Sequence, residues 1–348
     1  MKKRRKIGAV LLALLALLIL CAVLFFWRAL RSAVSVRKLE DGLYAMRYAG
    51  DYALDEFLAQ GGASSDMEAA DFVIRDAFHG LVDLDLRSRP YGCSTLAVEG
   101  PKGDRLFGRN FDWGNCTALV VETAPGNGYA SVSTVNMDFL NLGLSLPEET
   151  FVRLLSVAAP YAPMDGMNEK GLCVAVLMIQ DRPGFDQRSK KPDLTTTTAV
   201  RLLLDRAATV EEAVELLKAY DLHASAGMMV HFAIADASGR SVVVEYIDNA
   251  MNVIETPVVT NFYLAEGEKY GVGTAESMKR YQMLTGQMAE RNAWDMDAVR
   301  DALDSVSKHN FDSPFASTEW SVVYDQTGGE ARYYHREDYS RFFPFSVR

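Results

Sequence analysis

The rhythm of apolar and polar positions changes three times along this chain. Ile7–Trp27 is an unbroken run of 21 uncharged residues rich in Leu, Ala and Val, long enough to cross a bilayer as a helix. Beyond it, residues 41–62 read as a strand or turn followed by a helix, and residues 64–86 as an amphipathic helix. In the latter, Met67, Ala70, Phe72, Val73, Ala77 and Phe78 recur at helical spacing, and Ser65 with Glu68 has the form of a capping box. Arg87–Tyr91, with its proline and arginines, breaks that pattern as an exposed connection would. From Cys93 onward the texture is one of short alternating strands. "CSTLAV" and "DRLFGRNFDW" flank the turn "EGPKGD" as a hairpin, and residues 171–179, 228–236 and 241–247 follow, the last two joined as a second hairpin. Residues 319–335 read as a third. Thr198–Ala207, Val210–Tyr220 (capped by Thr209 and Glu212) and Ala275–Arg291 read as helices. Strands in hairpins and helices in blocks predict an α+β fold, with antiparallel sheets carrying helices on their outer faces.

With 348 residues, 49% of them apolar, the chain can bury a full core. Lys2, Lys3, Arg4, Arg5 and Lys6 precede the apolar run and should stay in the cytoplasm, so the remainder is expected on the outer side of the membrane. A cleaved signal peptide would need a shorter apolar region and a small-residue cleavage site, whereas Phe25, Phe26, Trp27 and Arg28 follow here. The expectation is therefore a basic tip at 1–6 and a transmembrane signal anchor at 7–27, with the lipid bilayer as a partner. Without the five N-terminal cations, 31 Lys and Arg face 46 Asp and Glu, a net charge near −15. Such a surface repels phosphate backbones, so no nucleic-acid partner is expected. No Gly-rich phosphate loop or zinc-type cysteine pair occurs, and neither a cofactor nor a metal is called for.

Four cysteines occur: Cys21 in the apolar run, then Cys93, Cys116 and Cys173. Cys116 and Cys173 are either a pair or two free buried thiols, which leaves Cys93 as the odd one. A thiol becomes a useful nucleophile as thiolate, which takes a nearby cation or base. Arg109 lies 16 residues beyond Cys93 and Asp112 lies 19 beyond, and the returning strand of the hairpin permits both to come back beside it. Gly92 leaves room for attack on the preceding carbonyl. The chain could thus cut itself at Gly92–Cys93 and free an α-amine of pKa about 7.7–8.0 as general base. The bland alternative makes Cys93 a buried hydrophobe beside an ordinary ion pair.

The stretch "CSTLAVEGPKGDRLFGRNFDW" resembles the mature N-terminus of the choloylglycine hydrolase, or linear amide C–N hydrolase, family of N-terminal-nucleophile hydrolases. The likeness continues in "MDGMNEKGLCVAVL" (164–177), "VHFAIADASGRSVVVEY" (230–246), "VVTN" (258–261), "SMKRY" (277–281) and "EWSVVYD" (319–325). This resemblance implies an αββα sandwich of two antiparallel sheets between helical layers over 93–348, preceded by a helical pro-segment at 28–92 of the kind that the amidase and acyltransferase branches cut off. It implies that Cys93 supplies the thiolate and, once freed, the amine base. Arg109 would hold the thiolate and Asp112 would anchor the amine. Asn261 would donate to the oxyanion, and Arg280 would complete the polar site. Met178 departs from the pattern: bile salt hydrolases carry an oxyanion-assisting asparagine there and penicillin V acylases a tyrosine, so this pocket should be more apolar. The expected substrate is a small-molecule N-acyl amide with an apolar acyl chain, cleaved through a thioester, with homo-oligomerisation left open. Acyl transfer to an amine and a non-catalytic membrane-anchored binding domain are the alternatives. A Cys93, His231, Asn261 triad is a further rival that lacks the local cysteine signature. Asn168 and His231 read as a turn residue and a strand residue, and His335 with Glu337 as a surface pair.

Overall fold

The computed structural model describes residues 12, 16, 17, 26–78, 92–140, 150–179, 184–267, 274–311, 316–336 and 338–347. The basic tip, nearly all of Ile7–Trp27, the Arg87–Tyr91 connection, Cys21 and Glu337 lie outside these residues. Among the described residues no helix is long and apolar enough to cross a membrane.

The described elements run from helix α1 (Trp27–Ser35) through strands β1 (Arg37–Glu40) and β2 (Leu43–Arg47) to helices α2 (Leu54–Ala59) and α3 (Asp66–Phe78). The expectation of a helical pro-segment is thus half of the picture. β2 pairs in parallel with β5 (Ala118–Thr123), from Leu43 opposite Ala118 to Arg47 opposite Glu122. The physical reason is burial: Leu43, Tyr44, Ala45 and Met46 are all covered. A continuous apolar run of this kind suits a strand covered on both faces and carries no helical period.

β3 (Gly92–Glu99) and β4 (Arg105–Trp113) form the expected first hairpin, followed after β5 by β6 (Ser131–Asn136), α4 (Thr150–Leu155), β7 (Pro163–Asn168) and β8 (Cys173–Met178). Next come β9 (Asp193–Thr195), α5 (Thr196–Arg206), α6 (Val210–Lys218), β10 (Asp221–His223), β11 (Val230–Ala235), β12 (Ser241–Ile247), β13 (Ala250–Glu255) and β14 (Val258–Val259). The chain closes with α7 (Ala275–Glu290), α8 (Met296–Ser305), β15 (Ser317–Asp325), β16 (Glu330–His335) and β17 (Asp338–Ser346).

One sheet has nine strands in the order β1-β2-β5-β6-β7-β8-β11-β12-β13, and a second has six in the order β14-β3-β4-β15-β16-β17. Apart from the β2–β5 pair, their ladders are antiparallel. Successive strand residues point to opposite faces, and that alternation exposes the layering. On β7, Asp165 meets Arg109 and Trp320 of the six-stranded sheet, while a Cβ on its neighbour Gly166 would press against Leu204 of α5 at 2.8 Å. On β4, Arg109 faces β7, while Gly108 lies against Val299 and Leu303 of α8. The sheets therefore stack face to face, with α5 outside one and α8 outside the other.

Cys116 and Cys173 are free, buried thiols, and burial raises both well above the usual thiol range. Asn168 ends β7 and braces the turn that follows: its carboxamide accepts from Lys170 and Leu172 N–H and donates to the Leu204 and Ala207 carbonyls. His335, expected at the surface, is buried and bonds Glu40 at 2.6 Å, which ties the β1–β2 hairpin to β16.

Candidate active site

The register of the β3–β4 hairpin sets the site. Gly92 stands opposite Asp112, Cys93 opposite Phe111 and Thr95 opposite Arg109. Directly opposed residues share a face, so Cys93 and Arg109 look into the space between the sheets, and Ser94 and Asp112 look toward α7 and α8. Cys93 is 4% exposed.

Arg109 is fully buried. It donates to Asp165 at 2.6 Å, to the Asn110 carbonyl at 2.7 Å and to the Val176 carbonyl at 2.9 Å, with its guanidinium 5.0 Å over the Phe111 ring. Burial pulls this guanidinium down, but its neighbours Cys93 and then Asp165, the latter hydrogen-bonded to it, hold its pKa above the usual value. Asp165 also accepts from Trp320 Nε1 and Tyr324 Oη, each at 3.0 Å. Asp165 and Trp320 were not singled out in the sequence. The available signal was a lone acid in an otherwise apolar segment, which demands a partner once buried.

β14 ends at Val259, opposite Thr95, so the ladder stops short of Cys93. The Asn261 side chain takes over where backbone pairing ceases: its Oδ1 accepts the Cys93 N–H at 2.7 Å and an Arg280 N–H at 2.8 Å. Its Nδ2 donates to the Met178 carbonyl at 2.7 Å, so in the intact chain the amide expected to serve an oxyanion already has a partner. Arg280 donates to the Cys93 carbonyl at 2.6 Å and to Ser94 Oγ. Asp112 accepts from Thr318 at 2.7 Å, and its other oxygen lies 3.6 Å from Arg280 with no hydrogen-bond donor. Cys93, Arg109, Asp112, Asn261 and Arg280 are therefore assembled in one place.

Helix α7 braces two of these groups. Ser277 Oγ accepts the Asn261 N–H at 2.7 Å, and Arg280 projects from the same helix one turn later. His231 lies behind them: its Nε2 meets the Thr260 carbonyl at 2.7 Å and its Nδ1 meets Glu245 at 3.1 Å. With both ring nitrogens occupied, His231 steadies the strand that leads to Asn261 and offers nothing to Cys93.

The space in front of the thiol is apolar. Cys93, Phe111, Trp113, Val176, Met178 and Met228 line a narrow throat of about 40 Å³. The buried Met178 side chain stands in this wall. A cavity of about 670 Å³ adjoins it, sharing Phe139, Met164, Thr197, Ser225 and Met228 as walls.

Comparison with known proteins accords with this geometry. Residues 93–300, more than half of the chain, match the linear amide C–N hydrolases of the choloylglycine hydrolase family. A penicillin V acylase from Pectobacterium atrosepticum is 34% identical over 94 residues, a match that spans 24% of this chain and 25% of that protein. Two crystal structures of conjugated bile acid hydrolase variants from Clostridium perfringens superpose with TM-scores of 0.54 and 0.53, at 19% and 18% identity, each covering 73% of this chain and 92% of theirs. These structures share the fold.

Proposed function

This chain belongs to the choloylglycine hydrolase family of linear amide C–N hydrolases, and we propose that it is an autocatalytically matured cysteine amidohydrolase that cleaves an N-acyl amide through a thioester. The observation that carries this reading is the embrace of Cys93: Arg109 shares its face of the hairpin while Asn261 and Arg280 bond its backbone N–H and carbonyl.

Maturation begins with attack of the Cys93 sulfur on the Gly92 carbonyl carbon. The Gly92–Cys93 C–N bond breaks as the nitrogen takes a proton, which frees the α-amine of Cys93, and water then hydrolyses the resulting thioester to release the Gly92 carboxylate and the thiol. Asp112 is suited to receive it. One of its oxygens is buried without a donor, at a cost of about 1–3 kcal/mol, and its strand position is opposite Gly92. An α-ammonium at residue 93 supplies the missing donor.

The same thiolate then attacks the substrate carbonyl, the α-ammonium protonates the departing amine, and water resolves the acyl-enzyme. The apolar throat with Met178 in its wall supports an apolar acyl group. The cationic tip followed by the uncharged Ile7–Trp27 run supports an anchor that holds this domain on the outer side of a membrane. Alkaline extraction of membranes tests that placement, and release of the intact chain into the supernatant overturns it.

The decisive experiment is intact-mass measurement and N-terminal sequencing of purified wild type beside Cys93→Ala. A fragment beginning at Cys93 in the wild type and an uncut variant are expected. An uncut wild type that does not label with a thiol-reactive acyl analogue would overturn the reading.

A further inference from the structure

The cavity beside the throat is built from two parts of the chain that the proposed cut would separate. Helix α3, from the segment before Cys93, contributes Asp66, Ala69, Ala70 and Val73 to its wall. The spacing of three, four and seven residues places these four side chains on one helical face. Across the cavity stands the loop 224–228, whose Ser225 and Met228 also line the throat at Cys93. The room available, about 670 Å³, lies within the range of small-molecule sites.

The two walls are fastened together by one carboxylate. Asp66 accepts from Ser225 Oγ at 2.6 Å and from the Ala226 N–H at 2.7 Å. Ala226 and Gly227 have φ of 53° and 67°, and for alanine this left-handed geometry costs about 1–2 kcal/mol. A bond from Asp66 to the Ala226 N–H holds that conformation in place. Asp66 is in the first turn of α3, where the helix dipole favours a negative charge.

The lining also restricts the occupant. Asp66 is the single charged residue among the described residues that line the cavity, and both its oxygens are engaged. Among the described lining residues there is no cation to receive a carboxylate, sulfonate or phosphate.

We propose that the α3 face of Asp66, Ala69, Ala70 and Val73 is the specificity-determining wall for the acyl chain of the substrate, held against the 224–228 loop by Asp66. The segment before Cys93 is on this account a working part of the mature site, and the group it selects is an uncharged acyl chain that passes from the throat into the cavity. This inference rests on the reading of Cys93 as nucleophile.

The test is a series of N-acyl amides from butanoyl to hexadecanoyl, assayed with full-length wild type, Ala70→Phe and Val73→Ala, with release of the Cys93 N-terminus followed in parallel. Ala70→Phe should lower kcat/KM for the longest chains by at least about tenfold relative to the shortest, with the cut at Gly92–Cys93 unaffected. Val73→Ala, which removes bulk from the same face, should shift the optimum toward longer chains. Equal losses at every chain length, or unchanged profiles in both variants, would overturn the assignment while leaving the nucleophile in place. A wild type that turns over no member of the series and releases no Cys93 terminus sinks both readings together.

Discussion

The backbone N–H of Cys93 donates to Asn261 Oδ1 at 2.7 Å, across 168 residues of sequence. The same oxygen takes a bond from Arg280, and the Asn261 amide donates to the Met178 carbonyl. Asn261→Ala leaves three buried polar groups without this partner, each worth about 1–3 kcal/mol. Release of the Cys93 N-terminus should slow by about 100-fold or more, the equivalent of about 2.7 kcal/mol at the barrier. A time course of intact mass checks this, and a wild-type rate would remove Asn261 from the maturing machinery.

Arg109 and Asp165 form an ion pair in which both side chains are fully buried. Asp165→Ala strands the guanidinium and should destabilise the fold by about 3–5 kcal/mol. Urea unfolding reads the effect. A variant within about 0.5 kcal/mol of wild type, as for an ordinary surface change, would mean that Arg109 finds its compensation elsewhere.

Glu319 occupies the bulge where β15 slips against β4, between Thr318 opposite Asp112 and Trp320 opposite Phe111. Burial pushes its carboxyl up to about 7, and the pull of Arg336 and the Cys116 N–H does not offset this. The folded state therefore holds a proton that the unfolded chain, titrating near 4.5, gives up. The associated stability is full below about 4.5 and is lost as pH rises to about 7, up to about 3 kcal/mol in all. Glu319→Gln should flatten this part of a stability-versus-pH curve measured by urea midpoints. An identical slope in the two proteins would assign the pH dependence to another group.

The segment before Cys93 should stay bound after the cut. It contributes β1 and β2 to the nine-stranded sheet, and Tyr52 bonds both oxygens of buried Asp205 at 2.6 and 2.7 Å. Glu40 reaches His335, and Asp66 reaches Ser225. The two fragments are expected to elute together on size exclusion in native buffer and to part in urea. Separate elution in native buffer would show that these contacts are too weak to outlast the covalent link.

Much of the site was legible in the chain because its chemistry clusters in short motifs. Gly92, Cys93, Arg109 and Asp112 fall within one hairpin, whose alternation and turn residues predict the return of the second strand. Arg280 reaches this hairpin through a contact spanning 187 residues, from its guanidinium to the Cys93 carbonyl. Asp165, Ser277 and Trp320 escaped notice because a buried polar residue declares its partner only in three dimensions.

The sequence by itself determined the α+β class, the strand hairpins and the existence of the helices read over 198–207, 210–220 and 275–291, and it singled out Cys93 among the thiols. These follow from periodicity and turn chemistry, which act over a few residues. Tertiary structure alone decided that β2 joins the sheet beside β5, that Asn261 completes the ladder where β14 stops, and that α3 walls the cavity next to Cys93. Each of these depends on segments distant in sequence being brought together by burial of their apolar faces, and no local pattern of residues encodes which distant face will be met.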